Sequence, residues 1–215
     1  MPNDNRNVFV GISVRNKTLT PQQVEEIVRR AQAEFKARRL LFLIADELEI
    51  INLRVFETGM AETLVRHVAQ RCDDLERVVE QGVASVRTNR LYITTDRWQS
   101  ILNTEYWESY ITVFSRFVES EAFRVDVESV ARRFAERRGA TVTPEQLHYL
   151  SLYLLAEMPT LLSGVRHKQR RYLGMIYPAR RDEAIDGIAA ALAEGKYGQV
   201  PGLSQACRIV RMDAE

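Results

Sequence analysis

The residues with the most chemical promise are a serine, a tyrosine and a glutamate that lie far apart in the chain. Ser13 stands in Gly11-Ile12-Ser13-Val14-Arg15-Asn16, at the end of a short run of β-branched and aromatic residues. There Gly11 lets a ligand approach the backbone and the strand end exposes the hydroxyl. That is a position for a nucleophile, although a serine that only opens a strand-to-helix turn would read the same way in isolation. Glu157 stands in Leu150-Ser151-Leu152-Tyr153-Leu154-Leu155-Ala156-Glu157-Met158-Pro159, a helix apolar on most faces. A carboxylate in that setting needs a cation or hydrogen bonds, because an isolated buried charge is strongly disfavoured. A substrate ammonium would satisfy it, and so would a structural arginine or an exposed helix end beside Pro159. Tyr153 precedes it by four residues, which places phenol and carboxylate on one helix face where they can share a ligand.

The means of moving protons narrow the chemistry. The three histidines, His67, His148 and His167, have no metal-ligand spacing and are expected on surfaces or helix faces. A serine nucleophile without histidine needs a tyrosine or the substrate's own amine as proton acceptor, and an already activated acyl ester lowers that demand. The hydrolase elbow G-x-S-x-G is missing, since Arg15 occupies the place of its second glycine, and no HGGG partner occurs. Cys72 and Cys207 have no CxxC spacing, so neither a disulfide framework nor a cysteine zinc site is expected. Without a Walker A loop or a G-x-G-x-x-G, ATP and NAD have no support, and no metal or cofactor is expected.

Two stretches could meet a phosphate backbone. One is Arg66, Arg71, Arg77, Arg87 and Arg90 along a long helical region, where Asp73, Asp74, Glu76 and Glu80 interrupt the positive charge. The other is the run Arg166-His167-Lys168-Gln169-Arg170-Arg171, the cleaner of the two, with Lys168, Arg170 and Arg171 as its contacts.

These groups need a frame. With 215 residues, 46% hydrophobic and 27% charged, and a net charge of +1, the chain suits one catalytic domain spanning 1–215. The polar MPNDNRN start and the short run Val8 to Val14 predict no signal peptide, no stretch is long enough to cross a bilayer, and a cytoplasmic monomer is expected. Val8 to Val14 predicts a strand, and the capping box Thr20-Pro21-Gln22-Gln23 opens a helix from Pro21 to Arg39. Leu40 to Ala45 is apolar without alternation, as in a parallel strand covered on both faces, and Asp46 and Glu47 close it. A helix from about Met60 to Thr88, a strand at Leu91 to Ile93 and two helices between Thr104 and Arg138 with a break near Ser120 to Arg124 follow. A second capping box at Thr143 opens the Glu157 helix, which Pro159 should end or kink. Tyr172 to Tyr177, Asp182 to Glu194 and Cys207 to Met212 complete the pattern as strand, helix and strand. The alternation predicts an α/β fold, a Rossmann-like open and mostly parallel sheet of about five strands with helices on both faces. Ligands of such sheets bind beyond the carboxyl ends of the strands, which puts Ser13, Asp46 and Tyr177 on one rim.

Three segments together resemble the cyclodipeptide synthases, whose fold is related to the catalytic domains of class I tyrosyl- and tryptophanyl-tRNA synthetases. Gly11 to Asn16 resembles the family's nucleophile motif, Tyr153 to Pro159 its Tyr-x-x-x-Glu-x-Pro helix, and Tyr177-Pro178 the strand-end pair of its second subgroup, while Asn16 resembles the asparagine of the first. The resemblance implies an aminoacyltransferase that consumes two aminoacyl-tRNAs and releases a cyclic dipeptide by a ping-pong route. Ser13 would carry the aminoacyl and dipeptidyl groups, Tyr153 and Glu157 would hold the aminoacyl amine, and Tyr177 would position the hydroxyl or the attacking amine. It also implies that Phe9, Gly11, Leu41, Leu43, Thr160 and Met175 line the first side-chain pocket, with Asn16 and Pro178 beside the substrate. A non-catalytic Rossmann-like RNA-binding module and an unrelated serine acyltransferase or esterase are the competing readings.

Overall fold

A computed structural model describes residues 6–15, 19–57, 60–86, 90–177, 185–200, 203 and 206–212. Strand β1 (Asn7–Ile12) leads to helix α1 (Pro21–Phe35), β2 (Arg39–Ile44), α2 (Asp46–Phe56), α3 (Ala61–Ala84) and β3 (Tyr92–Arg97). A 3-10 turn at Trp98–Ile101 precedes α4 (Thr104–Glu119), α5 (Glu121–Glu136) and α6 (Pro144–Ser163). Then come β4 (Val165–His167), β5 (Arg170–Tyr172), β6 (Gly174–Tyr177), α7 (Ile185–Ala193) and β7 (Arg208–Arg211). The main sheet is five-stranded in the order β3-β2-β1-β6-β7, and each described pairing in it is parallel. This is the α/β architecture that the alternating pattern predicts.

Side-chain alternation divides the interior. Val8, Val10, Ile12, Leu40, Phe42, Ile44 and Ile176 face α1 and α3, whereas Phe9, Leu41, Leu43 and Met175 face a layer built around α6. Five of the six residues of β2 are buried, the signature of a strand roofed on both sides. Helix α6 packs against α2, α4, α5 and α7, so its apolar faces are used up by neighbours. At Gly82 an added Cβ would fall 2.5 Å from Val24 Cβ and 2.6 Å from the Pro21 carbonyl, so glycine allows α1 and α3 to touch.

Several expectations are corrected. Helix α1 ends at Phe35, not Arg39, because Lys36 turns left-handed (φ 48°) and its N–H caps the Ala31 and Gln32 carbonyls, freeing Arg39 to pair with Asn7. Asp46 and Glu47 do not close β2; they open α2, whose acidic first turn suits a helix N-terminus. Strand β3 runs on through Thr94, Thr95, Asp96 and Arg97, polar residues tolerated on an edge strand. Helix α6 passes through Pro159 to Ser163: proline forfeits one helical hydrogen bond, and burial of Thr160, Leu161 and Leu162 holds the following turn. The stretch from Tyr172 to Tyr177 is two strands. The run from Arg166 to Arg171 forms the β4–β5 hairpin, and its His167 is buried, 2% exposed, with a ring nitrogen 2.8 Å from Asp96.

Candidate active site

Ser13 follows the last residue of β1 and is exposed at the carboxyl edge of the central strand. Counting along the chain it is in phase with Phe9, which faces the α6 layer, while Val14 joins the opposite core. The Arg15 N–H donates to Ser13 Oγ at 3.3 Å. The register Val10↔Ile176 in the β1–β6 pair sets Tyr177 beside Gly11 on the same face.

Helix α6 supplies the opposing wall. The Tyr153 hydroxyl donates to Glu157 Oε1 at 2.9 Å, and both residues are half-buried. Burial pushes the Tyr153 phenol well above its ordinary pKa, and the charge of Glu157, with Tyr177 and Glu49 nearby, pushes it further. The phenol is therefore neutral at any ordinary pH and acts as a donor. Its ring stacks on Phe134, with centroids 6.5 Å apart and planes 14° from parallel. Tyr106 reaches α6 from α4, its hydroxyl donating to the Ala156 carbonyl at 3.0 Å; burial raises its pKa, and Tyr110 and Glu157 add to the rise. The Thr160 hydroxyl donates to the Glu157 carbonyl at 2.8 Å.

The structure thus joins Tyr153 to Glu157 and sets Tyr177 near enough to add to burial in raising the Tyr153 pKa, while Ser13 stands exposed just past the end of β1. Thiol chemistry has no support at this rim, since burial pushes Cys72 to about 11 and Cys207 to about 12. Among the described residues, no group of three or more His, Cys, Asp or Glu is placed to hold a metal ion, and no helix is long and apolar enough to cross a membrane.

The comparisons with known proteins bear on this arrangement. A family model described as cyclodipeptide synthase matches residues 2–169. The chain belongs to the cyclodipeptide synthase family. No curated protein matches by sequence. Among solved structures, a cyclodipeptide synthase from Fluoribacter dumoffii superposes with a TM-score of 0.72 at 15% identity, covering 97% of this chain and 89% of that one. AlbC from Streptomyces noursei gives 0.68 at 18%, covering 97% and 94%. Tryptophanyl-tRNA synthetase from Aeropyrum pernix gives 0.57 at 14%, covering 97% and 48%. The fold is thus shared with cyclodipeptide synthases and with a class I synthetase domain.

Of the residues expected at the first side-chain pocket, Phe9, Leu41 and Leu43 are fully buried, and Thr160 and Met175 are 3% exposed. Phe9, Leu41, Leu43 and Met175 belong to the core on the α6 side of the sheet, and the Gly11 Cβ position lies 3.6 Å from the Met175 ε-methyl. Asn16, Arg87 and Pro178 lie outside the described residues. On α3, Arg66 is exposed, whereas Arg71 and Arg77 share Asp74. Arg90, Lys168, Arg170 and Arg171 are exposed, with Lys168 3.3 Å from Asp96 and Arg171 lining a cavity of 340 Å³ between α4 and the end of α6.

Sequence reasoning missed other groups at this rim. Arg15 bonds Glu49 of α2 and Glu57 just past its end. Arg138 lies 4.0 Å above the Phe134 ring and 5.1 Å above Phe56; burial, then the like charge of Arg15, holds its pKa below the ordinary guanidinium value. Arg211, paired with Asp186, lies 5.9 Å over the Tyr177 ring. The acidic opening of α2 could have revealed the first of these, and the i, i+4 spacing of Phe134 and Arg138 part of the second; the contacts with Phe56, Asp186 and Tyr177 join distant segments.

Proposed function

We propose that this protein makes a cyclic dipeptide from two aminoacyl-tRNAs through an aminoacyl-serine intermediate on Ser13. The observation that carries the reading is the Tyr153–Glu157 hydrogen bond, a neutral donor fixing a carboxylate on the wall toward which the Ser13 side of the sheet faces. Ser13 Oγ attacks the ester carbonyl of the first aminoacyl-tRNA, and its proton leaves with the tRNA 3′-terminal hydroxyl. Glu157 holds the aminoacyl ammonium during this capture, and Tyr153 orients the carboxylate. The bound ammonium gives one proton to Glu157 and, as a free amine, attacks the ester carbonyl of the second aminoacyl-tRNA; that ester bond breaks, the second tRNA leaves with its 3′-terminal hydroxyl carrying the amine's other proton, and a dipeptidyl-serine results. The new terminal amine attacks the Ser13 ester, closing the six-membered ring and returning the proton to Ser13. Tyr177, braced by Arg211, positions the hydroxyl or the attacking amine, with Tyr153 relaying protons as a neutral phenol. The tRNA esters supply the activation, so neither ATP nor a metal enters a step.

In this reading Phe9, Gly11, Leu41, Leu43, Thr160 and Met175 underlie the first side-chain pocket. Arg66, Arg71, Arg77, Arg87, Arg90, Lys168, Arg170 and Arg171 meet the tRNA backbone, and Asn16 and Pro178 lie beside the substrate. The sequence pair Tyr177-Pro178 supports the Tyr-Pro subgroup, whereas Asn16 resembles the other. The test is Ser13→Ala: it should abolish both diketopiperazine in the medium of expressing cells and the mass increment of aminoacylated protein. Normal product from that variant would remove the central step.

A further inference from the structure

Two residues beyond Ser13, Arg15 reaches across to α2. Its Nε donates to Glu49, a second nitrogen lies 3.3 Å from Glu57, and its guanidinium stands 5.8 Å from the centre of the Phe56 ring. Glu49 is 3% exposed and Asn52 2% exposed, and the Asn52 amide donates to the second Glu49 oxygen at 3.4 Å. An acid so deeply placed is tolerated only with a cation and hydrogen bonds around it. Because α2 starts directly after β2, Glu49 lies in its first turn, beside the carboxyl edge of the sheet. Arg138 approaches Phe56 as well, so two like charges gather at that ring and Glu49 offsets their repulsion.

We propose that Glu49 is a positioning residue: by gripping Arg15 it fixes the turn in which the Arg15 N–H meets Ser13 Oγ, and so aims the hydroxyl at the wall formed by Tyr153 and Glu157. The pair also engages the Glu49 charge, so that Glu157 is the acid presented to a substrate ammonium. This rests on the reading of Ser13 as the nucleophile. The clamp acts on the geometry of attack and not on tRNA affinity, because Arg15 and Glu49 face each other and α2.

The experiment uses the full chain with Glu49→Gln, Arg15→Gln, the double variant and Arg15→Lys. Single-turnover acylation by aminoacyl-tRNA is followed by intact-protein mass, alongside tRNA affinity, thermal melting and hydrogen exchange. Each glutamine variant should acylate about tenfold to a hundredfold more slowly, the loss expected from an ångström-scale misplacement. The double should be no slower than the worse single, since both act through one contact, and Arg15→Lys should recover part of the rate. tRNA affinity should be unchanged, and amides 13–15 should exchange faster while β2 and α6 keep their protection. Wild-type acylation by Glu49→Gln, losses that multiply in the double, or faster exchange spread across the whole chain would overturn the proposal. If the wild type itself is never acylated, the nucleophile reading fails, and the exchange at 13–15 still decides whether the clamp exists.

Discussion

Tyr153 and Glu157, one turn apart on α6, are joined by a 2.9 Å hydrogen bond in which the phenol is the donor. The bond fixes the carboxylate plane, and the strongly raised phenol pKa keeps the donor protonated through the catalytic range. A charged acceptor held in a partly desolvated recess discriminates an ammonium from a neutral group far better than one in water. Glu157→Gln should therefore lower kcat/KM by about a hundredfold, and Tyr153→Phe by about tenfold, without changing the fold. Rates of cyclic dipeptide release, read by mass spectrometry beside circular dichroism melts, check this. A glutamine variant at full rate would exclude a charge role for Glu157.

The same phenol makes stability depend on alkaline pH. Its folded pKa lies above the unfolded value of about 10, so the folded chain holds a proton that the unfolded chain releases first. That contribution is fully present below pH about 10 and is lost as the pH rises from there through the folded value. Tyr106 shifts in the same direction and leaves a residual slope. Calorimetric scans should show a melting temperature that falls above pH about 10, less steeply in Tyr153→Phe.

How far the sequence carried this description depends on where each signal resides. The parallel sheet was legible because β2 and β6 are apolar on both faces, and α1 and α6 because Thr20 and Thr143 make capping boxes that the structure contains. The grouping of Tyr153 with Glu157 followed from helical spacing alone. Helix α2 was hidden because its Glu49 and Asn52 are polar yet buried, which spoils the apolar period on which recognition depends. His167 read as a surface residue because its partner, Asp96, lies 71 positions away. Burial pushes Asp96 up, but bonds to His167, the Arg97 N–H and Lys168 outweigh it and hold the carboxyl below its usual range. Arg138 and Arg211 gain their places over Phe56 and Tyr177, contacts between distant segments that no local pattern encodes.

The β4–β5 turn holds removable strain. Lys168 and Gln169 both have positive φ, 45° and 63°, in a two-residue hairpin that favours Asn-Gly. Gln169→Gly should raise stability by about 0.5–1 kcal/mol, seen as a rise of roughly 2 °C in Tm, and it spares the Lys168–Asp96 contact. Gly164→Ala at the base of the hairpin should do the opposite. Its φ is 72° and its Cβ would fall 2.1 Å from the Tyr172 carbonyl, so a loss of at least about 3 kcal/mol is expected from thermal or urea melts.

Gly11 offers a substitution that separates substrate choice from folding. Its φ is not in the left-handed region, and an added Cβ would meet only the flexible end of Met175 at 3.6 Å, an ordinary contact. Gly11→Ala should thus move Tm by no more than about 2 °C, a stability change below about 1 kcal/mol. The new methyl lies between Phe9 and Ser13 on the face of the proposed first pocket, where one carbon more or less is worth about 1–3 kcal/mol in discrimination. Mass spectrometry of products from cells making the variant should show a shift toward smaller first residues, with the second residue unchanged. A variant that kept both its Tm and its product distribution would place the first side-chain pocket elsewhere than over Gly11 and Met175.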